Sequence, residues 1–234
     1  MGKGKKFEEA RAKVDRNKAY PTVEGMTLCR SLGFTKFDET IDVAFRLGVN
    51  PKYSDQMVRG SCILPHGTGK EVRVLVFAKG EKAAEAEGAG ADFVGDDDLV
   101  AKIQGGFLDF DKAIATPDMM AKVGRLGKIL GRRGLMPNPK LGTVTFDVEN
   151  AVKEAKAGRI EFKVEKAGIV HACLGRKSFT DEQLVDNLSA LGETILKLRP
   201  ASVKGTYIRS LVVSTSQGPG VKIDANELAA RLAK

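Results

Sequence analysis

Tryptophan is absent from the sequence and tyrosine occurs three times, so no platform of rings for stacking single-stranded bases is indicated, although eleven phenylalanines are present. Several of those phenylalanines fall in core-like alternation. Cysteine is as sparse. Cys29, Cys62 and Cys173 are odd in number, far apart and without a CxxC pair, which argues against a disulfide framework or a structural zinc site and reads them as buried free thiols. His66 and His171 are the only histidines and sit in different segments, so neither a zinc site nor a Ser-His-acid triad can be assembled from local spacing. No apolar run approaches the length of a bilayer and no N-terminal stretch resembles a secretion signal, so the chain is expected to be cytoplasmic and to make no membrane contact. A tract of Pro, Ser or Gln that would argue for general disorder is missing too.

What is present is core-forming material and positive charge. A chain of 234 residues with 42% hydrophobic content suits one large domain or two small ones. The net charge of +8 favours polyanionic partners, because each phosphate neutralised by Lys or Arg releases condensed counterions. Charge alone leaves nucleic acid and other partners open. The first residues, with Lys3, Lys5 and Lys6 beside two glycines, carry seven basic against three acidic groups through Lys18 and read as a basic arm leading into a helix.

Two textures alternate along the chain. Ile41, Val43, Phe45 and Leu47 occupy alternate positions, as a half-buried strand requires, and MVRGSCILP offers a second strand across a long hairpin loop. From Val72 the pattern becomes strand, helix, strand, with VRVLVF, GEKAAEAEGAG and ADFVG, followed by DDLVAKIQGG as helix, DKAIAT as strand, and a helix starting at Pro117. From Arg159 alternation returns at Ile160, Phe162 and Val164. A helix then opens on the capping box Thr180 to Gln183, and a strand TYIRSLVVSTS and a closing helix near DANELAARLAK follow. The expected architecture is a discontinuous α+β outer domain, an antiparallel sheet with helices, made of residues 1–66 and 159–234, with residues 67–158 inserted as a three-layer α/β domain. Glycine-containing joints near 66–70 and 155–159 would serve as paired hinges.

Four segments bear on chemistry. HGTGKE lacks both the glycine five residues before Gly69, where Leu64 stands, and the hydroxyl after Lys70, where Glu71 stands, so a nucleotide- or phosphate-ligand enzyme on the middle domain is only an alternative reading. The acidic run at 96–98 suits the positive end of a helix better than a magnesium ion. The block from Lys122 to Gly142 interleaves glycines with Arg125, Lys128, Arg132, Arg133 and Lys140, and no acidic residue occurs between Asp118 and Asp147. It reads equally as a basic patch open to a sugar-phosphate chain or as a solvated helix end before a Pro-rich turn. Ser214 to Gly220 ends a strand in small polar groups and a glycine, proline, glycine turn, which fits closely against a ribose. Phe37 is either exposed or an edge contact of the core, and each histidine reads as structural, with an RNA hydrogen bond open to His171.

Taken in order, KFDET, RGSCILPHGTGK, GRLGKILGRRGLMPNPKLGTV, EFKVEKAGIVHACLGRKSF and STSQGPG resemble the signature segments of the large-subunit ribosomal protein family numbered one, of the bacterial type. The resemblance implies a non-enzymatic protein of the ribosome without a cofactor, monomeric when free. It implies that the outer domain holds a large-subunit ribosomal RNA junction in the mobile stalk, that the protein contacts exit-site tRNA and assists its release, and that it represses translation of its own operon mRNA. Carried onto this chain, the RNA-facing positions implied are Lys36, Phe37, Thr40, Lys166, His171, Thr215, Ser216, Gln217 and Gly218. Where the family commonly has Thr-Met-Gly, this chain has Ser216, Gln217 and Gly218. The basic block would serve tRNA or a second RNA surface. A third reading, a non-specific basic assembly factor, predicts steep salt dependence without preference among RNAs.

Overall fold

The computed structural model describes residues 4–232, so Lys3 of the basic arm and the last two residues of the closing helix segment lie outside it. In chain order the elements are α1 (Lys5–Ala12), α2 (Thr22–Ser31), β1 (Thr40–Leu47), β2 (Arg59–Ile63), β3 (Val74–Phe77), α3 (Glu81–Gly88), β4 (Phe93–Gly95), α4 (Asp97–Gln104) and β5 (Lys112–Ala115). They continue with α5 (Met120–Val123), α6 (Gly127–Leu130), α7 (Val148–Lys156), β6 (Arg159–Lys163), β7 (Ile169–Arg176), α8 (Asp181–Lys197), β8 (Ile208–Thr215), β9 (Val221–Ile223) and α9 (Ala225–Leu232). By contacts the chain divides into two units, residues 1–69 with 160–234, and residues 70–159. The first crossing falls after Gly69 rather than at residue 66, because Gly69 packs on Arg176 and Phe179, leaving a Cβ only 2.9 Å from each.

The first unit is built on a four-stranded sheet in the order β7-β1-β8-β9, with every neighbouring pair antiparallel. Alternation decides its faces. Ile41, Val43, Phe45 and Leu47 of β1 are buried, together with Leu211 and Val213 of β8 and Val221 and Ile223 of β9. Each such side chain removed from water contributes about 1.5–3 kcal/mol. Covering them is α8, whose Leu184, Leu188, Leu191 and Ile195 recur on one face and are fully buried. Its start is fixed by a complete capping box between Thr180 and Gln183. Arg30 of α2 pairs with Asp181 at 2.9 Å and locks the two helices.

The hairpin expected between β1 and β2 does not form. β2 pairs with β6 in a separate two-stranded sheet, and β1 takes β7 and β8 as neighbours. The reason is that β1 buries one whole face and needs a partner on each edge, and both partners come from beyond residue 168. α2, α7 and β9 carry no expectation from the sequence. Only two of the three thiols are buried, since Cys173 is half-exposed on the outer face of β7.

The second unit is a parallel sheet in the order β4-β3-β5. All four residues of β3 are buried, as a strand covered on both sides requires. Val74 and Val76 face a core with Val148 and Val152 of α7, while Leu75 and Phe77 face Leu99, Ile103, Leu126 and Leu130. The helix expected from Pro117 is a chain of short turns instead, with 3-10 segments at Pro117–Met119, Gly124–Leu126 and Gly131–Arg133 around α5 and α6. Its apolar spacing is helical, but glycines at 124, 127 and 131 each weaken a helix by about 1 kcal/mol relative to alanine. The acidic run does not cap α4 by side chain either. Asp96 pairs with Lys79 and Lys122, each at 3.0 Å, and Asp97 also takes Lys122.

Candidate nucleic-acid interface

The outward face of the four-stranded sheet is laid out in rows by its register. Arg176 lies opposite Thr40; Cys173, Asp42 and Ser214 form the next row; His171, Ala44, Val212 and Lys222 the next; then Ile169, Arg46 and Ser210. Most of these side chains are small, so the face is shallow enough for a wide ligand to lie flat on it. Between Ile41 and Asp42 the pairing with β7 shifts by one residue, a bulge that adds local twist at the edge carrying Thr40.

At that edge the chain between α2 and β1, residues 33–39, is held from several sides. Glu39 is fully buried, and its two carboxylate oxygens take N–H groups from distant segments, Thr35 at 2.9 Å and Gln217 at 3.2 Å. Its own carbonyl accepts the Lys177 N–H at 2.8 Å. Burial alone pushes the Glu39 carboxyl up, but the Thr35 N–H, the hydroxyls of Thr215 and Thr35 and the Gln217 N–H more than offset it, holding the pKa down to about 2. Thr215, donating to Glu39, accepts the Gly218 N–H on the same oxygen at 3.1 Å. Ser216 accepts the Thr40 N–H at 3.1 Å. Asp38 accepts from the Ser178 N–H at 3.0 Å and its hydroxyl at 2.7 Å, while Lys177 donates to the Gly33 carbonyl at 2.7 Å.

These bonds bring Lys36, Phe37 and Thr40 together with Thr215, Ser216, Gln217 and Gly218. Lys36 and Phe37 are exposed on top of the loop, with Phe37 at 55% exposure, which places it outside the core. Lys166 and His171 are not part of that cluster. Lys166 sits in the turn before β7, and the intervening strand puts it roughly 20 Å from Thr40 at ~3.3 Å per residue. His171 stands between, exposed in mid-strand, with its Nε2 3.8 Å from Glu165. The sequence-picked residues therefore mark two ends and the middle of one face. Asp42, in that face, has its carboxyl raised by partial desolvation, a shift His171 works against.

Glu39 escaped sequence reasoning, and so did Asp38, Lys177 and Ser178. Between Asp38 and Thr40 a carboxylate reads as surface charge, and nothing local signals its burial. Tyr53 and Phe146 are exposed as fully as Phe37, each at 59%, and carried no expectation.

In the second unit Arg125, Lys128, Arg132, Arg133 and Lys140 are all exposed and none forms an ion pair among the described residues, whereas Lys122 is spent on Asp96 and Asp97. Buried Leu126 and Leu130 fix the backbone that carries the first four. Lys70 of the HGTGKE segment is held by Asp111 at 2.6 Å, and the chain beyond it runs into β3 rather than into a helix, so no phosphate-cradling loop is formed there. Among the described residues, no group of His, Cys, Asp and Glu is arranged to hold a metal ion, and no helix is long and apolar enough to cross a membrane. The family model described as the Ribosomal protein L1p/L10e family matches residues 29–219, a span that runs from the end of α2 through the 215–218 turn.

Proposed function

The chain belongs to the Ribosomal protein L1p/L10e family, a family of structural ribosomal proteins that bind large-subunit ribosomal RNA and not a class of enzymes; from that premise we propose that the outward face of its four-stranded sheet is the surface that takes the RNA. The observation that carries this reading is the buried Glu39 carboxylate, which ties the Lys36–Phe37 loop to the Thr215–Gly218 turn and so presents both in one fixed geometry. A surface prepared in advance loses little conformational entropy on binding, and shape rather than sequence is what a folded RNA junction offers. Lys36 and Lys166, at opposite ends, position the sugar-phosphate chain; Phe37, Ser216 and Gln217 meet sugars and base edges.

The RNA is a junction of the mobile stalk, and a messenger fold of similar shape from the chain's own operon competes for the same face, which gives translational repression in the manner of the bacterial proteins. Arg125, Lys128, Arg132, Arg133 and Lys140 of the second unit meet exit-site tRNA and assist its release. The test is a titration of the purified protein against a stalk-junction RNA fragment and an unrelated hairpin of equal length, at low and physiological salt. A preference of at least ~10³ at physiological salt is expected of shape-specific recognition. Equal binding that collapses with salt would leave only the basic composition and sink the assignment of the face.

A further inference from the structure

Beside Gln217, outside the residues that the family model matches, α1 lies against the same edge of the first unit. It is anchored there by Ala10 and Val14, both in the core cluster with Leu32, and the Asp15 N–H donates to the Tyr20 hydroxyl at 3.0 Å. Between α1 and the 33–39 loop is an open depression of about 570 Å3 lined by Gly4, Lys5, Lys6, Phe7, Phe34 and Gln217. Sites for small ligands run roughly 300–1,000 Å3. The lining holds two lysines and no carboxylate. Gln217 has its backbone fixed by Glu39, but its side-chain amide has no hydrogen-bond partner among the described residues.

We propose that this depression is a subsite for one unstacked nucleotide of the RNA lying on the sheet face. The proposal rests on the reading of that face given above. Each part of the lining matches one part of a nucleotide: Lys5 and Lys6 the phosphate, the Phe7 and Phe34 rings the apolar surface of the base, and the Gln217 amide, with one acceptor and two donors, its hydrogen-bonding edge. An acidic peptide would satisfy the lysines and leave the rings and the amide without a role. A base inside a helix has its edge already paired, so the occupant is a looped-out or junction nucleotide.

The experiment uses the full chain and the stalk-junction fragment, together with a series of that fragment in which each unpaired nucleotide in turn is replaced by an abasic residue. The variants are Lys5→Ala with Lys6→Ala, and Gln217→Ala; all three side chains are exposed, and thermal unfolding checks that the fold is kept. The double lysine variant is expected to bind about tenfold more weakly and with a flatter salt dependence. One abasic position is expected to cost the parent about tenfold, and to cost Gln217→Ala markedly less, because the amide's share is already gone. If the parent prefers the junction while both variants match it and no abasic position couples to Gln217, the face stands and the subsite does not exist. A parent without preference for the junction overturns the face and the subsite with it.

Discussion

Glu39 stands where the proposed surface for a polyanion would least tolerate an exposed carboxylate, and the fold hides it while using its charge to hold the 33–39 loop and the 215–218 turn together. Glu39→Gln keeps the shape but sets an amide NH2 against one of two N–H donors, which costs about 1–3 kcal/mol and loosens both the Lys36–Phe37 loop and the 215–218 turn. Loss of stability in thermal unfolding together with weakened junction binding is the expected pair of results; normal binding would show that the tie is not needed. The pH dependence has a fixed sign. A carboxyl near 4.5 in the unfolded chain and about 2 when folded contributes about 3 kcal/mol above pH 4.5, which is lost as pH falls through 2. Acid unfolding of the Gln variant is therefore expected to be shallower than the parent's across that window. Gly218 is a second sensitive point, because a Cβ there would stand 2.4 Å from the buried Thr215 hydroxyl. Gly218→Val is expected to reduce junction binding at least tenfold by pushing that hydroxyl off Glu39, as an RNA titration would read.

Among the elements, α8 carries the largest apolar face of the first unit, and its first turn is closed by the capping box of Thr180 and Gln183. Thr180→Ala is expected to cost about 1 kcal/mol and lower the Tm by about 2–4 °C without changing RNA preference. This helix and the burial pattern of β1 were legible in the sequence because both rest on local periods, 3.6 for Leu184, Leu188 and Leu191 and two for Ile41, Val43 and Phe45. Strand partners were not legible. Asp42 sits opposite Cys173 and Ser214, and no local signal links positions so far apart. The turns from Pro117 misled in the other direction, since Met119, Val123, Leu126 and Leu130 keep helical spacing while the glycines between them break the bonding pattern. Of the candidate site, the exposed positions such as Lys36, Phe37 and Gln217 were singled out through family resemblance, whereas the Glu39 brace depends on partners that only the folded chain assembles.

At the scale of the molecule, the two units keep separate cores: the cluster with Phe45 and Leu188 draws on no residue between Leu64 and Ile160, and those with Phe77 and Val152 on none outside 72–155. Replacing residues 70–159 by a short Gly-Ser linker is thus expected to leave the first unit folded and its junction preference within about threefold of the parent. Because Arg125, Lys128, Arg132, Arg133 and Lys140 leave with the second unit, the excised form is also expected to bind tRNA more weakly, by a filter-binding comparison of the two proteins. Failure of the short form to fold would show that the first core depends on the insert.

The strand order β7-β1-β8-β9 also sets a timetable. A ribosome making this chain delivers β1 early, yet both of its neighbours emerge after residue 168, when the stretch that builds the parallel sheet has long been available to fold. Domains form as they are completed during translation. The outward face of the sheet is consequently completed only near the end of synthesis, and a nascent chain lacking β7 and β8 cannot present it.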